Sequence, residues 1–187
     1  MTTDAGSALS GKVIVVTGGA SGIGRAAVER CAALGAHVVL GDVAEAAAAA
    51  VRALFVPCDV TIEAQCRNLM AATVEAHGRL DVLIACAGIL QGAFVDVADL
   101  EDETFARVID VNLRGAFLSV KHAVRAMNGG GVILLLASGA GVTGSSSSVA
   151  YGASKGAVHG LGLVLQHRLA GRGIRVNTVA PSAIATP

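Results

Sequence analysis

Six short runs of β-branched and aliphatic residues recur along the chain, and none alternates apolar with polar side chains: Lys12 to Thr17, His37 to Asp42, Leu54 to Cys58, Asp81 to Ala85, Val132 to Ala137 and Arg175 to Ala180. A strand with one wet face alternates, whereas a strand covered on both faces does not. Helical patterns separate the runs, at about Ile23 to Leu34, Val43 to Arg52, Ile62 to His77, Leu100 to Met127 and Tyr151 to Ala170. Strand, helix and parallel strand connect by right-handed crossovers, which put helices on both faces of one sheet. The pattern predicts a doubly wound α/β fold with a parallel sheet of six strands. No repeat, charge block or linker divides it, so residues 1–187 read as a single domain, with 1–10 a flexible amino terminus.

Composition narrows the partners. Fourteen Lys and Arg balance fourteen Asp and Glu, and this zero net charge argues against nucleic acid or an anionic membrane as a partner. No uninterrupted aliphatic run, Val132 to Ala137 included, comes near the roughly 20 residues that cross a bilayer. Met1 to Ser10 carries Asp4 and no basic or apolar stretch, unlike a targeting peptide, so a cytoplasmic location is expected. The 24 glycines and the absence of Trp point to aliphatic packing with closely approaching backbones. Cys31, Cys58, Cys66 and Cys86 have no metal-ligand spacing and read as buried free thiols, with no metal expected.

The first run is followed by Thr17-Gly18-Gly19-Ala20-Ser21-Gly22-Ile23-Gly24 and then a helix. A glycine-rich turn between strand and helix is either a tight connection only or lets a diphosphate reach main-chain amides at the positive helix end. Its place after the first strand of a βαβ unit favours the second, with Gly18, Ser21, Gly22, Ile23 and Gly24 at a dinucleotide. Asp42 ends the second strand, where its carboxylate either accepts from the adenosine ribose hydroxyls or caps the next helix. In the first case it repels a 2′-phosphate, so NAD is favoured over NADP. Asp59 either receives the adenine amino group, with Val60 over the ring, or caps the helix that follows. Ala87 and Gly88, after the fourth strand, are small enough for the backbone to pass close to the cofactor riboses.

Ser138 ends the fifth strand, at the sheet edge where open α/β proteins bind ligands. Thirteen positions on lies Tyr151, the sole tyrosine, with Lys155 one helical turn later. A phenol is a poor base at neutral pH, and an ammonium beside it should favour the phenolate. Tyr151 could then exchange a proton with a substrate hydroxyl that Ser138 also holds, while Asn112 ties Lys155 into a proton path through its backbone and water. The plain alternative is an amphipathic pair at a helix start. Ser145 to Ser148 is either a surface loop or the border of this site.

Together, Thr17-Gly18-x-x-x-Gly22-x-Gly24, Asp59, Ala87-Gly88, Asn112, Ser138 and Tyr151-x-x-x-Lys155 resemble the classical short-chain dehydrogenases/reductases from about Ser10 to Pro187. The resemblance implies a Rossmann-type NAD(P)-binding domain, usually in a homotetramer or homodimer. It implies a catalytic tetrad on Asn112, Ser138, Tyr151 and Lys155, with Lys155 also on the nicotinamide ribose. Pro181, Ile184 and Thr186 would fall against the nicotinamide end, the last two holding its carboxamide. The glycine spacing separates the chain from extended relatives such as sugar-nucleotide epimerases.

Three departures stand out. The family's Asn-Asn-Ala-Gly reads Ala85-Cys86-Ala87-Gly88, which loses an amide that helps fix the fourth strand. Its Pro-Gly reads Pro181-Ser182, expected to make that turn less permissive. Members usually continue through a substrate-covering segment, a helix and a seventh strand, none of which precedes Pro187. The expected activity is hydride transfer between NAD(H) and a secondary alcohol or ketone. The competing reading is a truncated, catalytically weak nucleotide-binding or subunit-assembly protein; an epimerase or lyase fits the glycine spacing less well.

Overall fold

The computed structural model of the chain describes residues 8–45 and 53–185. Its six strands are β1 (Val13–Thr17), β2 (His37–Asp42), β3 (Leu54–Pro57), β4 (Val82–Ala85), β5 (Gly131–Leu136) and β6 (Ile174–Val179). All pair in parallel, in the order β3-β2-β1-β4-β5-β6. The fold is therefore the doubly wound, Rossmann-type sheet expected, and each strand lies within a residue or so of its predicted span.

The helices are α1 (Gly22–Ala33), α2 (Glu63–His77), α3 (Asp102–Ile109), α4 (Gly115–Ala126), α5 (Gly139–Thr143) and α6 (Val149–Ala170). The expected helix from Val43 to Arg52 falls largely outside the described residues. The single helix expected from Leu100 to Met127 is instead α3, a π-helical turn over Asp110–Arg114, and α4. Backbone angles remain helical through the junctions, as at Asp110 with φ −62° and ψ −47°, so periodicity carries no trace of the widened turn. Asn112 sits in it, held by three side-chain hydrogen bonds, and π-turns of this kind concentrate at functional sites.

Strand β1 is buried throughout, because sheet partners flank it and helices cover both faces. Val15, on one face, joins Leu83, Ile133 and Leu135 in a core closed by α2, α4 and α6. Ile14 and Val16, on the other, meet Val28 of α1 and Leu40. Alternate residues of one strand thus feed two cores. Among the described residues no helix is long and apolar enough to cross a membrane.

Leu83, on β4 between β1 and β5, is fully buried. Leu83→Ala is expected to lower the unfolding free energy by about 2–5 kcal/mol, as buried leucine truncations do. Urea denaturation followed by circular dichroism reads this directly, and a loss under 1 kcal/mol would contradict the packing described.

Candidate active site

Strand order reverses between β1 and β4, so the segments leaving their carboxyl ends diverge and open a crevice. A cleft of about 1090 Å³ lies there. Asp42 and Asp59 reach it from the ends of β2 and β3 on one side of the switch point. Ser138 and Pro181 reach it from the ends of β5 and β6 on the other. Of the candidate catalytic and cofactor-binding residues, all those described except Asn112 line this cleft, and of the Ser145–Ser148 stretch only Ser145 does; Thr186 lies outside the described residues.

The glycine-rich turn begins at Gly18, whose φ of +68° suits glycine, and a Cβ there would stand 2.6 Å from the backbone N and Cα of Ala87. Its N–H donates to the Gly41 carbonyl at 2.8 Å. At the start of α1 the Ser21 side chain makes no capping bond and the first turn holds no acidic residue. The leading amides thus keep their partial positive charge for an anion. This cradle, closed to any side chain at Gly18, fits a dinucleotide diphosphate.

Asp42 is anchored by two main-chain amides, Ala20 to Oδ2 and Ala44 to Oδ1, each at 3.0 Å. Its carboxylate braces the glycine-rich turn and closes a turn at Ala44 while lining the cleft; the helix it could cap lies largely outside the described residues. Asp59 uses Oδ1 for the Thr61 N–H at 2.9 Å and the Thr61 hydroxyl at 2.7 Å. Its turn-forming role is therefore visible, with Val60 beside it in the cleft wall.

At the far end, Lys155 is 4% exposed. Its Nζ donates to the Leu136 carbonyl at 2.7 Å and stands 5.7 Å from the centroid of the Tyr151 ring. Burial pushes the Lys155 ammonium down to about 8. Burial also pushes the Cys86 thiol up to about 11, so it is a neutral group at pH 7. Ser138 caps α5, its Oγ accepting from Ala140 N–H at a long 3.3 Å. Asn112, buried behind the cleft, accepts from Ile89 N–H at 2.8 Å and donates to the Ile89 carbonyl and to Ser154 Oγ, both at 2.9 Å. A side chain at Gly88 would come within 3.3 Å of both Asn112 Oδ1 and Lys155 Nζ.

Ser182, in place of glycine, is not strained: Phe94 is the one non-glycine residue with positive φ among those described. The cleft also takes in Arg107 and Val111, on α3 and the π-turn, which sequence reasoning did not single out. Their spacing of four marks one helical face, the only signal available for them. The short helix α5 and the start of α6 at Val149 were equally unforeseen, although Ser138 and Ser148 are good N-cap residues.

The family model described as short chain dehydrogenase matches residues 12–187. Short-chain dehydrogenase reductase 4 of Arabidopsis thaliana is 42% identical over 188 residues, a match covering 95% of this chain and 63% of that protein. (+)-Borneol dehydrogenase 1 of Salvia officinalis is 38% identical over 186 residues, covering 95% and 72%. The crystal structure of gox2181 superimposes with a TM-score of 0.90 at 36% identity, over 95% of this chain and 74% of that one. The chain thus spans roughly two thirds of the length of these relatives. With its sheet order, its glycine-rich turn and a match over nearly its whole length, the chain belongs to the short-chain dehydrogenase/reductase family, oxidoreductases that use nicotinamide cofactors and act on small molecules.

Proposed function

We propose that this chain forms the cofactor-binding and acid/base parts of an oxidoreductase that interconverts a secondary alcohol and its ketone with NAD(H). The observation that carries the reading is a buried lysine ammonium beside the sole tyrosine ring, on one side of a cleft whose other side is a diphosphate cradle. Relatives named borneol dehydrogenase and tropinone reductase-like support a secondary alcohol or ketone as substrate. Residues 1–187 are taken as one NAD(P)-binding domain. Four free cysteine thiols are consistent with the cytosol. Exposed Phe105, Phe117, Leu163 and Val164 on α3, α4 and α6 suit a homodimer or homotetramer.

In this reading the Gly18–Gly24 turn holds the diphosphate and Asp42 the adenosine ribose. Asp59 and Val60 flank the adenine, Ala87 and Gly88 follow the riboses, Lys155 bonds the nicotinamide ribose, and Pro181, Ile184 and Thr186 bound the carboxamide end. A bound nicotinamide supplies the hydride acceptor or donor. Tyr151 exchanges the proton of the substrate oxygen, Ser138 donates a hydrogen bond to that oxygen, and Lys155 stabilises the negative charge that grows on the phenol oxygen as its proton leaves. Asn112 holds the π-turn in register behind Lys155, on the side where a proton path would run.

Three outcomes are expected. Tyr151→Phe should lower turnover of secondary alcohols by about 10²- to 10⁴-fold, the usual cost of a lost general acid/base, with NADH binding measured by fluorescence little changed. Retained turnover would remove the mechanism, and NADH binding by a wild type inactive on every alcohol would favour the nucleotide-binding alternative. Asp42→Ala should narrow the gap between NADH and NADPH affinities, and a wild type that binds both equally would contradict the ribose assignment.

The third outcome concerns charge. Lys155 titrates at about 8 in the native chain and at about 10.4 when unfolded. Between those values the unfolded chain binds more protons, so this group makes stability rise with pH. Below pH 8 its full destabilising effect is present. Lys155→Met should therefore exceed the wild type in stability most at pH 7, and the difference should shrink as pH approaches 10, as read by urea unfolding at several pH values. A gain independent of pH would show that Lys155 is not held charged against its burial.

A further inference from the structure

Two seryl hydroxyls bracket the peptide groups of Tyr151. Ser148, 1% exposed, accepts from the Tyr151 N–H at 3.2 Å and donates to the Gln91 carbonyl at 2.6 Å. Ser154, fully buried, donates to the Tyr151 carbonyl at 2.8 Å and accepts from Asn112 Nδ2 at 2.9 Å. Asn112 in turn grips both main-chain groups of Ile89. Ile89 and Gln91 belong to one loop, so the contacts close into a ring running Gln91, Ser148, Tyr151, Ser154, Asn112, Ile89.

Helix formation alone does not require this ring. An N-cap needs only an acceptor, so the bond from Ser148 to Gln91 is surplus to capping. A mid-helix serine bonding back to a carbonyl one turn earlier slightly weakens a helix, so the Ser154 bond does not serve α6 either. Each hydroxyl instead spends its single donor on fixing Tyr151 against the loop whose Gly88, Ile89 and Leu90 line the cleft.

We propose that Ser148 and Ser154 are positioning residues that set where the Tyr151 ring stands relative to Lys155 and the cleft, an assignment that rests on Tyr151 being the acid/base. They touch neither substrate nor cofactor; they act through the Tyr151 backbone.

The chain has one tyrosine and no tryptophan, so the tyrosine band in near-ultraviolet circular dichroism reports on this ring without interference from either residue elsewhere. Ser148→Gly keeps a serviceable N-cap but cannot donate to Gln91; Ser148→Thr can do both; Ser154→Ala breaks the other side of the ring. Turnover is measured with NAD and cyclohexanol. Ser148→Gly and Ser154→Ala should lower kcat between about ten- and a hundredfold, the scale of a small misplacement of a catalytic group. KM and NADH affinity should change little, and the tyrosine band should weaken while far-ultraviolet helix signal is kept. Ser148→Thr should match the wild type on every readout.

An unchanged tyrosine band in both disrupting variants overturns the proposal. So does a loss of turnover in Ser148→Gly that tracks a loss of helix signal, since capping would then explain it. Failure of the acid/base reading shows separately, as activity retained in Tyr151→Phe whatever the band does.

Discussion

Gly18 passes so close to Ala87 that no side chain fits between them, and its own positive φ turns the chain from β1 toward α1. That single approach brings the glycine-rich turn against the segment leaving β4. It also defines the crevice, since β1 and β4 are the neighbours between which the strand order reverses. The cleft residues from β2 and β3 on one side, and from β5 and β6 on the other, take their relation from this meeting point. A bulkier residue at position 18 would move the turn away from Ala87 and with it the amides that an anion needs.

The other demanding feature is a buried ammonium. Taking Lys155 out of water opposes its charge, and one strong bond to the Leu136 carbonyl offsets only part of that cost. A fold optimised for stability alone would place an apolar residue there. In the proposed reading this cost is tolerated because a cation serves there beside the Tyr151 phenol and a cofactor ribose, in line with the clustering of perturbed groups at functional sites. Structural economy and chemistry part company at this residue, and the ring of hydrogen bonds around Tyr151 shows the same divergence.

The sheet was legible because its central strands, covered on both faces, have an unmistakable pattern: β2 matches its expected span, and the others shift by a residue or two at their ends. The edge strand β6, expected not to alternate, in fact alternates buried with exposed residues, and β3 is largely exposed. The cleft was legible because its residues come from strand ends and a glycine-rich turn, where position in the βαβ unit says which way a side chain can face. What escaped was short-range geometry. The π-turn at Asp110–Arg114 keeps helical angles and hydrophobic spacing, and shows itself only in the Gly115 N–H reaching back five residues to the Asp110 carbonyl. Ser148 stood in a stretch that read either as a surface loop or as the border of the site, and Ser154 was not singled out, because their second hydrogen bonds go to segments 57 and 42 positions away. Arg107 and Val111 enter the cleft through the placement of α3, which no local spacing dictates.

Because β1 sits at the centre of the sheet, its two hydrogen-bonding edges are satisfied at different times as the chain is made. β2 begins 20 positions after Thr17, but β4 begins 65 positions after it. At about 5–20 residues per second of synthesis, the second edge of β1 waits roughly 3–13 s for its partner. Through that interval Val13–Thr17, a run with no charge and high β propensity, offers an open edge to any neighbouring nascent chain. The same centrality that makes β1 the most deeply buried strand of the finished protein makes it the segment most in need of shelter while translation proceeds.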